Sequence, residues 1–480
     1  MATSSLVFSF LVPVNNHAAN KALEAMPTLI AIFPLVLILT ITGNTNQMFQ
    51  HINEKSLTNR NLPAKNCEKL SSSIHIKRTP VLRGKATLLP ASKSISNRAL
   101  IINALAGNKS TLQNLSDAND TQLMLRLINS KDKTIDVEDA GTTMRFLTAY
   151  FSVTGQNKIL TGTERMKERP IGILVNALRS LGAEIEYLGT DGFPPHEIKK
   201  FNGQKANELR VRGDVSSQYI SALMMIAPVL PTGLTIIFEG KVGSRPYIEM
   251  TASIMKHFNA VSTLLENMVI IPHQEYSPSA FTVESDWSAA SYWFAFTALA
   301  NEASISLPRL SLSSVQGDSK IVQIMELLGV QARLENGLLN LTKSDPTKEF
   351  NWDFTHCPDL AQTVAVICAA KGINARFTGL ESLRIKETDR IDALQKELKK
   401  IGADLIEIDS AHWTLSPSSK LPEAASFQTY KDHRMAMAFA PLATLMDVQI
   451  QDRDVVKKSY PNFWKDIESF GFPILQGSSD

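Results

Sequence analysis

From about residue 74 onward, stretches in which apolar residues recur every three or four positions alternate with stretches in which they recur every second position. The first spacing predicts amphipathic helices, and the second predicts strands that are buried on one face. Regular alternation of the two predicts an α/β fold. One junction of a helix, a glycine and a strand recurs as ALRSLGAEIEYL, IMELLGVQARLE and ELKKIGADLIEI. Glycine suits this place because the residue after a helix often needs a left-handed backbone.

The spacing of these junctions indicates an internal repeat. Their glycines, Gly182, Gly329 and Gly402, are separated by 147 and 73 residues, and a degraded copy near Phe258 lies between the first two. We therefore predict a repeated unit of about 73 residues, present five to six times in about 400 residues. The alternative is a set of independent helix–glycine–strand junctions, which are common in α/β proteins.

The first 73 residues differ from the rest of the sequence. Residues 28–42 are a run of apolar residues and threonines broken by Pro34. This run is shorter than the roughly 20 residues that a spanning helix needs. It also lacks the basic flank and small-residue cleavage site of a signal peptide. We expect residues 1–73 to be an extension outside the fold, with Met48 as a second possible start. A membrane anchor or export signal and a core helix are the other interpretations.

Composition narrows the class of protein. Hydrophobic residues make up 44% and charged residues 20%, which excludes a disordered chain, a collagen-like fibre and a polytopic membrane protein. The net charge of +2 argues against nucleic-acid binding by a basic surface. The three cysteines, Cys67, Cys357 and Cys368, match neither a disulfide framework nor a zinc pattern. We therefore expect reduced thiols, no metal and a cytoplasmic location.

Cationic and hydroxyl side chains cluster at predicted helix starts, where free backbone N–H groups favour anions. In LPASKSISNRAL, Lys93 precedes a helix on which Ser94 and Arg98 share one face. Gly141 lets a ligand approach the backbone closely, and Arg169 ends a charged loop. Similar helix-start motifs contain Ser216, Ser217, Gln218, Ser244, Tyr247, Asp359, His433 and Arg434, and KKSYPNF contains Lys458.

The segment RIKETDRI combines acid and base groups. On a helix, Lys386 and Arg390 would be one turn apart, with Glu387 on the same face. A carboxylate flanked by two cations has a lowered pKa and a fixed orientation, which suits proton transfer if a substrate can reach it. A surface salt-bridge cluster is the alternative. Each motif alone has an ordinary structural explanation, but together they predict one site for two anionic substrates, built between domains.

The motifs occur in the order seen in the 5-enolpyruvylshikimate-3-phosphate synthase family, which the sequence resembles over about residues 74–475. They are LPASKSISNRAL, DAGTTMRF, ERMKERPIG, GDVSSQYISAL, SRPYIEM, ESDWSAASY, PDLAQT, RIKETDRI, YKDHRMAMA and KKSYPNF. The resemblance implies transfer of the enolpyruvyl group of phosphoenolpyruvate to the 5-hydroxyl of shikimate 3-phosphate, in the shikimate pathway to chorismate and aromatic amino acids. It also implies two similar domains, each of three βαβαββ units, which form an inside-out α/β barrel with the site in the interdomain cleft. The expected domains are residues 92–282, and residues 74–91 plus 283–480.

The resemblance implies roles for individual residues. The implied ligands of shikimate 3-phosphate are Lys93, Ser94, Arg98, Ser216, Ser217, Gln218, Ser244, Tyr247, Asp359 and Lys386. The implied ligands of phosphoenolpyruvate are Lys93, Gly141, Arg169, Gln218, Arg390, Arg434 and Lys458. Asp359 would take the proton of the 5-hydroxyl, and Glu387 would protonate the methylene carbon and later remove a proton from the methyl group. Lys93 and Lys458 would complete the catalytic set.

The sequence has no GxGxxG motif after a strand and no P-loop, so we expect no cofactor. We also expect no metal, a monomer, and membrane contact only if residues 28–42 form a real anchor. Three positions depart from the family pattern: Ala91 replaces the usual Gly, Ser382 a frequent Asn, and Phe146 a frequent Pro. Phe146 neighbours Gly141, so we expect an altered affinity for mimics of phosphoenolpyruvate such as glyphosate.

Three alternatives are weighed. UDP-N-acetylglucosamine enolpyruvyl transferase shares the fold but uses a loop cysteine as its acid, and the sequence has no cysteine between residues 68 and 356. A non-catalytic anion-binding protein of the same fold would not need Asp359, Glu387, Lys93 and Lys458 together. An enzyme fused to a membrane tail stays open because of the apolar run at 28–42.

Overall fold

The computed structural model describes residues 73–213, 216–240, 242–243 and 245–476. The apolar run at 28–42, Cys67 and the predicted site residue Ser244 lie outside these ranges. Within them, no helix is both long enough and apolar enough to cross a membrane. Cys357 and Cys368 are buried free thiols.

The part of the chain up to residue 282 alternates short strands with helices of up to 13 residues. In chain order these are β1 Ile74–Ile76, β2 Val81–Lys85, α1 Lys93–Leu105, β3 Leu112–Gln113, α2 Asn119–Leu127, β4 Thr134–Asp136, α3 Gly141–Val153, β5 Lys158–Thr161, α4 Glu164–Lys167, α5 Gly172–Leu181, β6 Ala183–Tyr187, β7 His196–Phe201, β8 Glu208–Arg212, α6 Ser217–Ile226, β9 Leu234–Glu239, α7 Arg245–His257, β10 Thr263–Leu264, β11 Met268–Ile271 and β12 Phe281–Thr282.

The remainder of the chain continues the same alternation. Its elements are α8 Trp287–Leu299, β13 Glu302–Pro308, α9 Ile321–Leu327, β14 Val330–Glu335, β15 Leu338–Lys343, β16 Glu349–Asp353, α10 Ala361–Lys371, β17 Asn374–Thr378, α11 Arg390–Lys399, β18 Asp404–Asp409, β19 His412–Ser416, β20 Ala424–Phe427, α12 His433–Phe439, β21 Asp447–Ile450, α13 Phe463–Ser469 and β22 Ile474–Gln476. Short 3-10 helices include Gly317–Lys320, Pro358–Leu360, Glu381–Ile385 and Arg453–Lys458.

Five four-stranded sheets share one connectivity, in which two parallel strands are followed by two antiparallel ones. Their orders are β4-β5-β7-β6, β8-β9-β11-β10, β2-β13-β15-β14, β16-β17-β19-β18 and β20-β21-β1-β22. The last sheet takes β1 from the start of the described chain and β22 from its end. β3 and β12 form a smaller parallel pair. The predicted α/β fold of repeated βαβαββ units is confirmed.

The glycine junctions that revealed the repeat have the backbone that was predicted for them. Gly182, Gly329 and Gly402 have φ values of 115°, 93° and 78°. They follow α5, α9 and α11 and precede β6, β14 and β18. The degraded copy after α7 uses Asn259, with φ of 62°, at the same place. Asparagine tolerates the left-handed region better than most residues, which explains why this copy survives without a glycine.

The described residues contain two hydrophobic cores. One is built from residues between Ala91 and Val283, and the other from residues 74–89 and 287–472. Helices α6, α8 and α10 are buried almost throughout, since their sequences are apolar on every side. The helices therefore lie inside and the sheets outside. The two connections between the cores run side by side, joined by hydrogen bonds from Ser92 N to Glu284 O at 2.8 Å and from Asp286 N to Pro90 O at 2.9 Å.

Gly182 tests the structural basis of the repeat. A Cβ atom there would lie 2.1 Å from the carbonyl oxygen of Gly203, in addition to the cost of the left-handed backbone. We expect Gly182→Ala to lower the free energy of unfolding by more than about 3 kcal/mol. Gly192, with φ of 87° and nothing within 4 Å of its would-be Cβ, is the matched control. Gly192→Ala should cost only about 1–2 kcal/mol. Equal losses in urea unfolding would contradict this account.

Candidate active site

Helix starts from both cores face one another across a cleft. The hydroxyl of Tyr247, near the start of α7, donates to Asp359 Oδ2 at 3.2 Å, and Asp359 precedes α10 in the other core. Lys458 Nζ donates to the backbone oxygen of Asp139, just before α3, at 3.4 Å. Most of the charged residues that the sequence analysis named as candidates lie near these two hydrogen bonds.

Asp359 is the carboxylate on which the cleft converges. Its Oδ1 accepts from Arg390 Nη1 at 2.9 Å, and its Oδ2 accepts from Arg434 Nη2 at 2.8 Å. Burial alone would raise the pKa of Asp359, but Arg434, Lys386 and Arg390 hold it well below its ordinary value. Asp359 therefore stays ionised and fixed by cations on two sides.

Arg390 holds three carboxylates with one guanidinium group. It is 2% exposed, and it donates from Nε to Asp432 Oδ2 at 2.7 Å and from Nη2 to Glu387 Oε2 at 3.0 Å, besides its bond to Asp359. Burial would lower the pKa of Arg390, but Asp432, Glu387 and Asp359 raise it above its ordinary value. The orientation of all three carboxylates is thus set by one planar group.

Glu387 lies between Arg390 and Lys458. Lys458 Nζ is 3.7 Å from Glu387 Oε1. Burial would raise the pKa of Glu387, but the charges of Arg390 and Lys458 hold it well below its ordinary value. The sequence predicted this lowering from Arg390 and Lys386, and the structure has Lys458 in the place of Lys386. The predicted helical spacing is wrong, because residues 386–389 precede α11. Asp389 Oδ1 caps α11 instead, accepting from the N–H groups of residues 391 and 392.

Lys386 is nevertheless part of the same cluster. Burial lowers its pKa, and the charge that most opposes this effect is that of Asp359. A partly buried ammonium group beside a partly buried carboxylate suits a hydroxyl-bearing ligand, which could accept from the ammonium and donate to the carboxylate.

Arg98, a buried residue of α1, lies on the other side of the cleft. It is 2% exposed and donates to Thr251 Oγ1 at 2.8 Å, to Ser221 Oγ at 2.9 Å and to the backbone oxygen of Ser94 at 2.9 Å. Its guanidinium carbon lies 5.4 Å from the ring centre of Phe146. Burial lowers the pKa of Arg98 to about 10. Arg98 is therefore rigidly held and charged at neutral pH.

Gly141 is required by the close approach of two arginines. A Cβ atom there would lie 2.7 Å from Arg145 Nη1 and 2.7 Å from the Arg169 guanidinium. Burial and the charge of Arg145 lower the pKa of Arg169. Two guanidinium groups packed around one backbone position form a strongly anion-attracting corner. The sequence analysis named Arg169 and Gly141 as candidate ligands, whereas Arg145 appeared only as part of the motif that contains Gly141.

The remaining predicted residues lie near the helix starts. Lys93 is the first residue of α1, and its Nζ lies 3.2 Å from Asp120 Oδ2. Ser216 Oγ caps α6 by accepting from Gln218 N at 3.4 Å, and Gln218 Nε2 donates to Thr142 Oγ1 at 3.0 Å. Ser217 is buried at the start of the same helix.

Sequence reasoning missed several acids at the site. Asp432 forms an ion pair with Arg390, and Asp120 forms one with Lys93. In the sequence, an acid at a helix start cannot be distinguished from an ordinary capping residue. Asp318 is also buried, and it accepts a hydrogen bond from Ser288 Oγ. Burial, followed by the nearby charge of Asp359, raises the pKa of Asp318 to about 7.

No group of His, Cys, Asp and Glu in the described ranges is arranged to hold a metal ion. Five predicted cations, Lys93, Arg169, Arg390, Arg434 and Lys458, surround or border the cleft. Two ionised carboxylates, Asp359 and Glu387, lie among them. The arrangement suits the binding of two anions together with proton transfer at two separate points.

The fold and the cleft are those of an α/β protein with a cation-rich site between two cores. A family model described as EPSP synthase (3-phosphoshikimate 1-carboxyvinyltransferase) matches residues 78–130 and 126–467. A 3-phosphoshikimate 1-carboxyvinyltransferase of Bacteroides fragilis (strain YCH46) is 48% identical over 400 residues, covering 82% of this chain and 97% of that protein. The chain belongs to the EPSP synthase family.

Further comparisons agree. The protein of the same name from Sodalis glossinidius is 35% identical over 442 residues, covering 83% of this chain and 98% of that protein. Among solved structures, EPSP synthase from Acinetobacter baumannii matches with a TM-score of 0.68 at 17% identity. That match covers 85% of this chain and all of the other, and it shows the likeness of fold.

Asp318 gives a pH-dependent prediction. Its pKa is raised to about 7, whereas an unfolded Asp titrates near 3.9, so the folded state binds this proton more tightly. Its contribution to stability is complete below about pH 4 and is lost as the pH rises through about 7. Asp318→Asn should therefore raise the free energy of unfolding at pH 8 by roughly 2–3 kcal/mol and change it little at pH 4.5.

Urea unfolding at the two pH values measures this effect. Asp404→Asn, at an exposed position of β18, is the control and should change stability little at either pH. Destabilisation by Asp318→Asn at pH 8 would contradict the assignment.

Proposed function

We propose that the cleft carries out the reaction of this family. The chain transfers the enolpyruvyl group of phosphoenolpyruvate to the 5-hydroxyl of shikimate 3-phosphate and releases phosphate, in the shikimate pathway to chorismate and aromatic amino acids. The observation that carries the proposal is the pair of partly buried carboxylates, Asp359 and Glu387, bound to the same guanidinium at 2.9 and 3.0 Å. A protein that only binds anions has no use for two ionised acids among its cations.

Phosphoenolpyruvate carries a phosphate and a carboxylate, and both suit guanidinium forks. We assign it to the cations around Gly141. The proposed ligands are Lys93, Gly141, Arg169, Gln218, Arg390, Arg434 and Lys458. The packing of Arg145 and Arg169 against Gly141 supports this assignment, because those two like charges gain from an anion placed between them.

Shikimate 3-phosphate is assigned to the helix starts around Arg98. The proposed ligands are Lys93, Ser94, Arg98, Ser216, Ser217, Gln218, Ser244, Tyr247, Asp359 and Lys386. Three of the five N–H donors of Arg98 bind Thr251, Ser221 and Ser94. We therefore infer that Arg98 acts on the phosphate through its charge and also fixes the hydroxyl groups around it.

The first step joins the 5-hydroxyl oxygen to C2 of phosphoenolpyruvate. Asp359 takes the proton of that hydroxyl, and the methylene carbon gains a proton from Glu387. A carboxylate held by Arg390 and Arg434 is a weak base. Since the anionic groups of phosphoenolpyruvate compete for the same two arginines, its binding would weaken their hold on Asp359 and raise the pKa of that carboxyl.

The second step releases phosphate from the tetrahedral carbon. The C–O bond to phosphate breaks, and Glu387 takes back a proton from the methyl group, so that the double bond re-forms. The hydroxyl proton held by Asp359 leaves with the phosphate, which returns both carboxyl groups to their starting states. Lys458, 3.7 Å from Glu387, and Lys93 would stabilise the charge that develops on the leaving phosphate. Protonation of Glu387 before the first step needs the same release from cations that phosphoenolpyruvate provides for Asp359.

Domain limits, assembly and location belong to the same proposal. Two domains of residues 92–282 and of residues 74–91 plus 283–480 are supported by the two cores, and an extension over 1–73 by a family match that starts at residue 78. We propose a cytoplasmic monomer, with membrane contact only if residues 28–42 form an anchor.

A rival activity of the same fold would use a cysteine as its acid. Cys357 and Cys368 are both buried, and burial raises the pKa of the Cys357 thiol to about 12. Neither thiol suits the role of an exposed loop acid, so the cysteine-dependent transferase is disfavoured.

Glu387 supplies the direct test of the proposed chemistry. We expect phosphate release by the full chain to require both substrates and to fall roughly 10²–10⁴-fold in Glu387→Gln, because the amide cannot carry the proton. The control is Glu423→Gln at an exposed position in the same half of the chain, which should retain full activity. Phosphate release from phosphoenolpyruvate alone, or an active Glu387→Gln variant, would overturn the assignment.

Substitutions of Phe146 test each of the two proposed substrate positions. Its ring is fully buried against Arg98, so Phe146→Leu should raise the KM for shikimate 3-phosphate by about twofold to tenfold, because a cation–π contact is lost. Phe151→Leu, a buried position of α3 away from Arg98, controls for lost packing.

Phe146→Pro removes a backbone N–H from α3 near Gly141 and should also alter inhibition by glyphosate. Unchanged glyphosate inhibition in Phe146→Pro would refute the second expectation.

A further inference from the structure

A strained turn lies directly before two groups of the active site. Tyr430 and Lys431 have φ values of 53° and 57°, so two consecutive residues that are not glycine adopt the left-handed region. Residues with a side chain rarely do so, and such a conformation persists only where neighbouring contacts enforce it. Asp432 follows at once and starts α12, which carries Arg434. We call residues 428–432 the pre-α12 turn.

The end of the pre-α12 turn sets the direction of both arginines. Asp432 is fully buried, and its Oδ2 accepts from Arg390 Nε at 2.7 Å. Its Oδ1 caps α12 by accepting from Arg434 N at 2.8 Å. A change in the backbone before Asp432 would therefore move one arginine through its side-chain partner and the other through its helix.

The other end of the turn is held by a buried glutamate that the mechanism does not use. Glu397 is 1% exposed, and its Oε1 accepts from the hydroxyl of Tyr430 at 2.7 Å. Its Oε2 accepts from Gln428 N at 3.0 Å and from Lys400 Nζ at 2.6 Å. Burial and the hydrogen bond to Glu397 raise the pKa of Tyr430, so the phenol stays a donor.

Both holding groups belong to one face of one helix. Arg390 and Glu397 are seven residues apart on α11, which is close to two helical turns. The helix thus contacts the pre-α12 turn twice, through Arg390 at Asp432 and through Glu397 at Gln428 and Tyr430.

We propose that Glu397 is a positioning residue, which enforces the left-handed backbone at Tyr430 and Lys431 and thereby fixes Arg390 and Arg434 in the cleft. The inference rests on the proposed role of these two arginines as ligands of phosphoenolpyruvate. It predicts that loss of Glu397 weakens the binding of phosphoenolpyruvate more than the binding of shikimate 3-phosphate.

The test compares kinetic constants for the two substrates in the full chain. Glu397→Ala should raise the KM for phosphoenolpyruvate roughly tenfold or more, because misplaced arginines bind phosphoenolpyruvate poorly. The KM for shikimate 3-phosphate should rise no more than about threefold. Glu397→Gln keeps one acceptor oxygen and should give a smaller increase. Should Glu397→Ala fail to fold, Tyr430→Phe removes a single bond and should change the same KM in the same direction.

A second substitution separates positioning from loss of stability. Lys431 is exposed, and glycine adopts its backbone without strain, so Lys431→Gly in the Glu397→Ala background should restore most of the lost affinity for phosphoenolpyruvate. Asn336, with φ of 51° in the turn between β14 and β15, is the matched control. Asn336→Gly relieves a comparable backbone far from the cleft and should restore none of it.

Two outcomes would overturn the inference: equal increases in both KM values, or rescue by Asn336→Gly as complete as that by Lys431→Gly. Arg434→Lys, measured in parallel, tests the underlying assignment. If Arg434→Lys leaves the KM for phosphoenolpyruvate unchanged, the proposed binding site fails. If it raises that KM while Glu397→Ala does not, only the role of Glu397 fails.

Discussion

The guanidinium of Arg390 is the interaction on which the active-site half of the molecule depends. It is almost fully buried and binds carboxylates from three separate segments: Asp359 before α10, Glu387 before α11 and Asp432 before α12. Without Arg390, one buried and two partly buried negative charges would lose their shared partner, and breaking even one buried pair costs several kcal/mol. One side chain therefore links the starts of three helices.

This cluster explains how binding and chemistry are linked. Three carboxylates around Arg390 exceed its single charge, and Arg434, Lys386 and Lys458 supply the balance. Under the proposed mechanism, the cations that neutralise the acids are also the groups that bind phosphoenolpyruvate. A bound anion would then weaken the hold of these cations on Asp359 and Glu387 and raise the pKa of both carboxyl groups. In that mechanism the two acids would become able to handle protons only when the substrate is present.

The sequence predicted the fold better than the details of the site, for physical reasons. The repeat was visible because each unit needs a left-handed residue after its helix, and Gly182, Gly329 and Gly402 satisfy that need locally. Cations at helix starts were also visible, because each of them lies within a few residues of its helix start in the sequence. By contrast, Asp432 meets Arg390 across 42 residues, and nothing local distinguishes it from a capping acid. The helical spacing from Lys386 to Arg390 was wrong because Asp389 caps α11 and keeps the preceding residues outside it.

The contacts across the cleft have a chemistry of their own. Each core is closed by apolar packing, but the named contacts between the cores are polar: Tyr247 with Asp359, Lys458 with the backbone of Asp139, and Asn462 with Asp117 at 3.0 Å. Each of these three hydrogen bonds has a charged partner, and a hydrogen bond to a charged group contributes about 1.5–3 kcal/mol. Under the proposed mechanism Asp359 and Lys458 also meet the substrates, so closure of the cleft and substrate binding would draw on the same interactions.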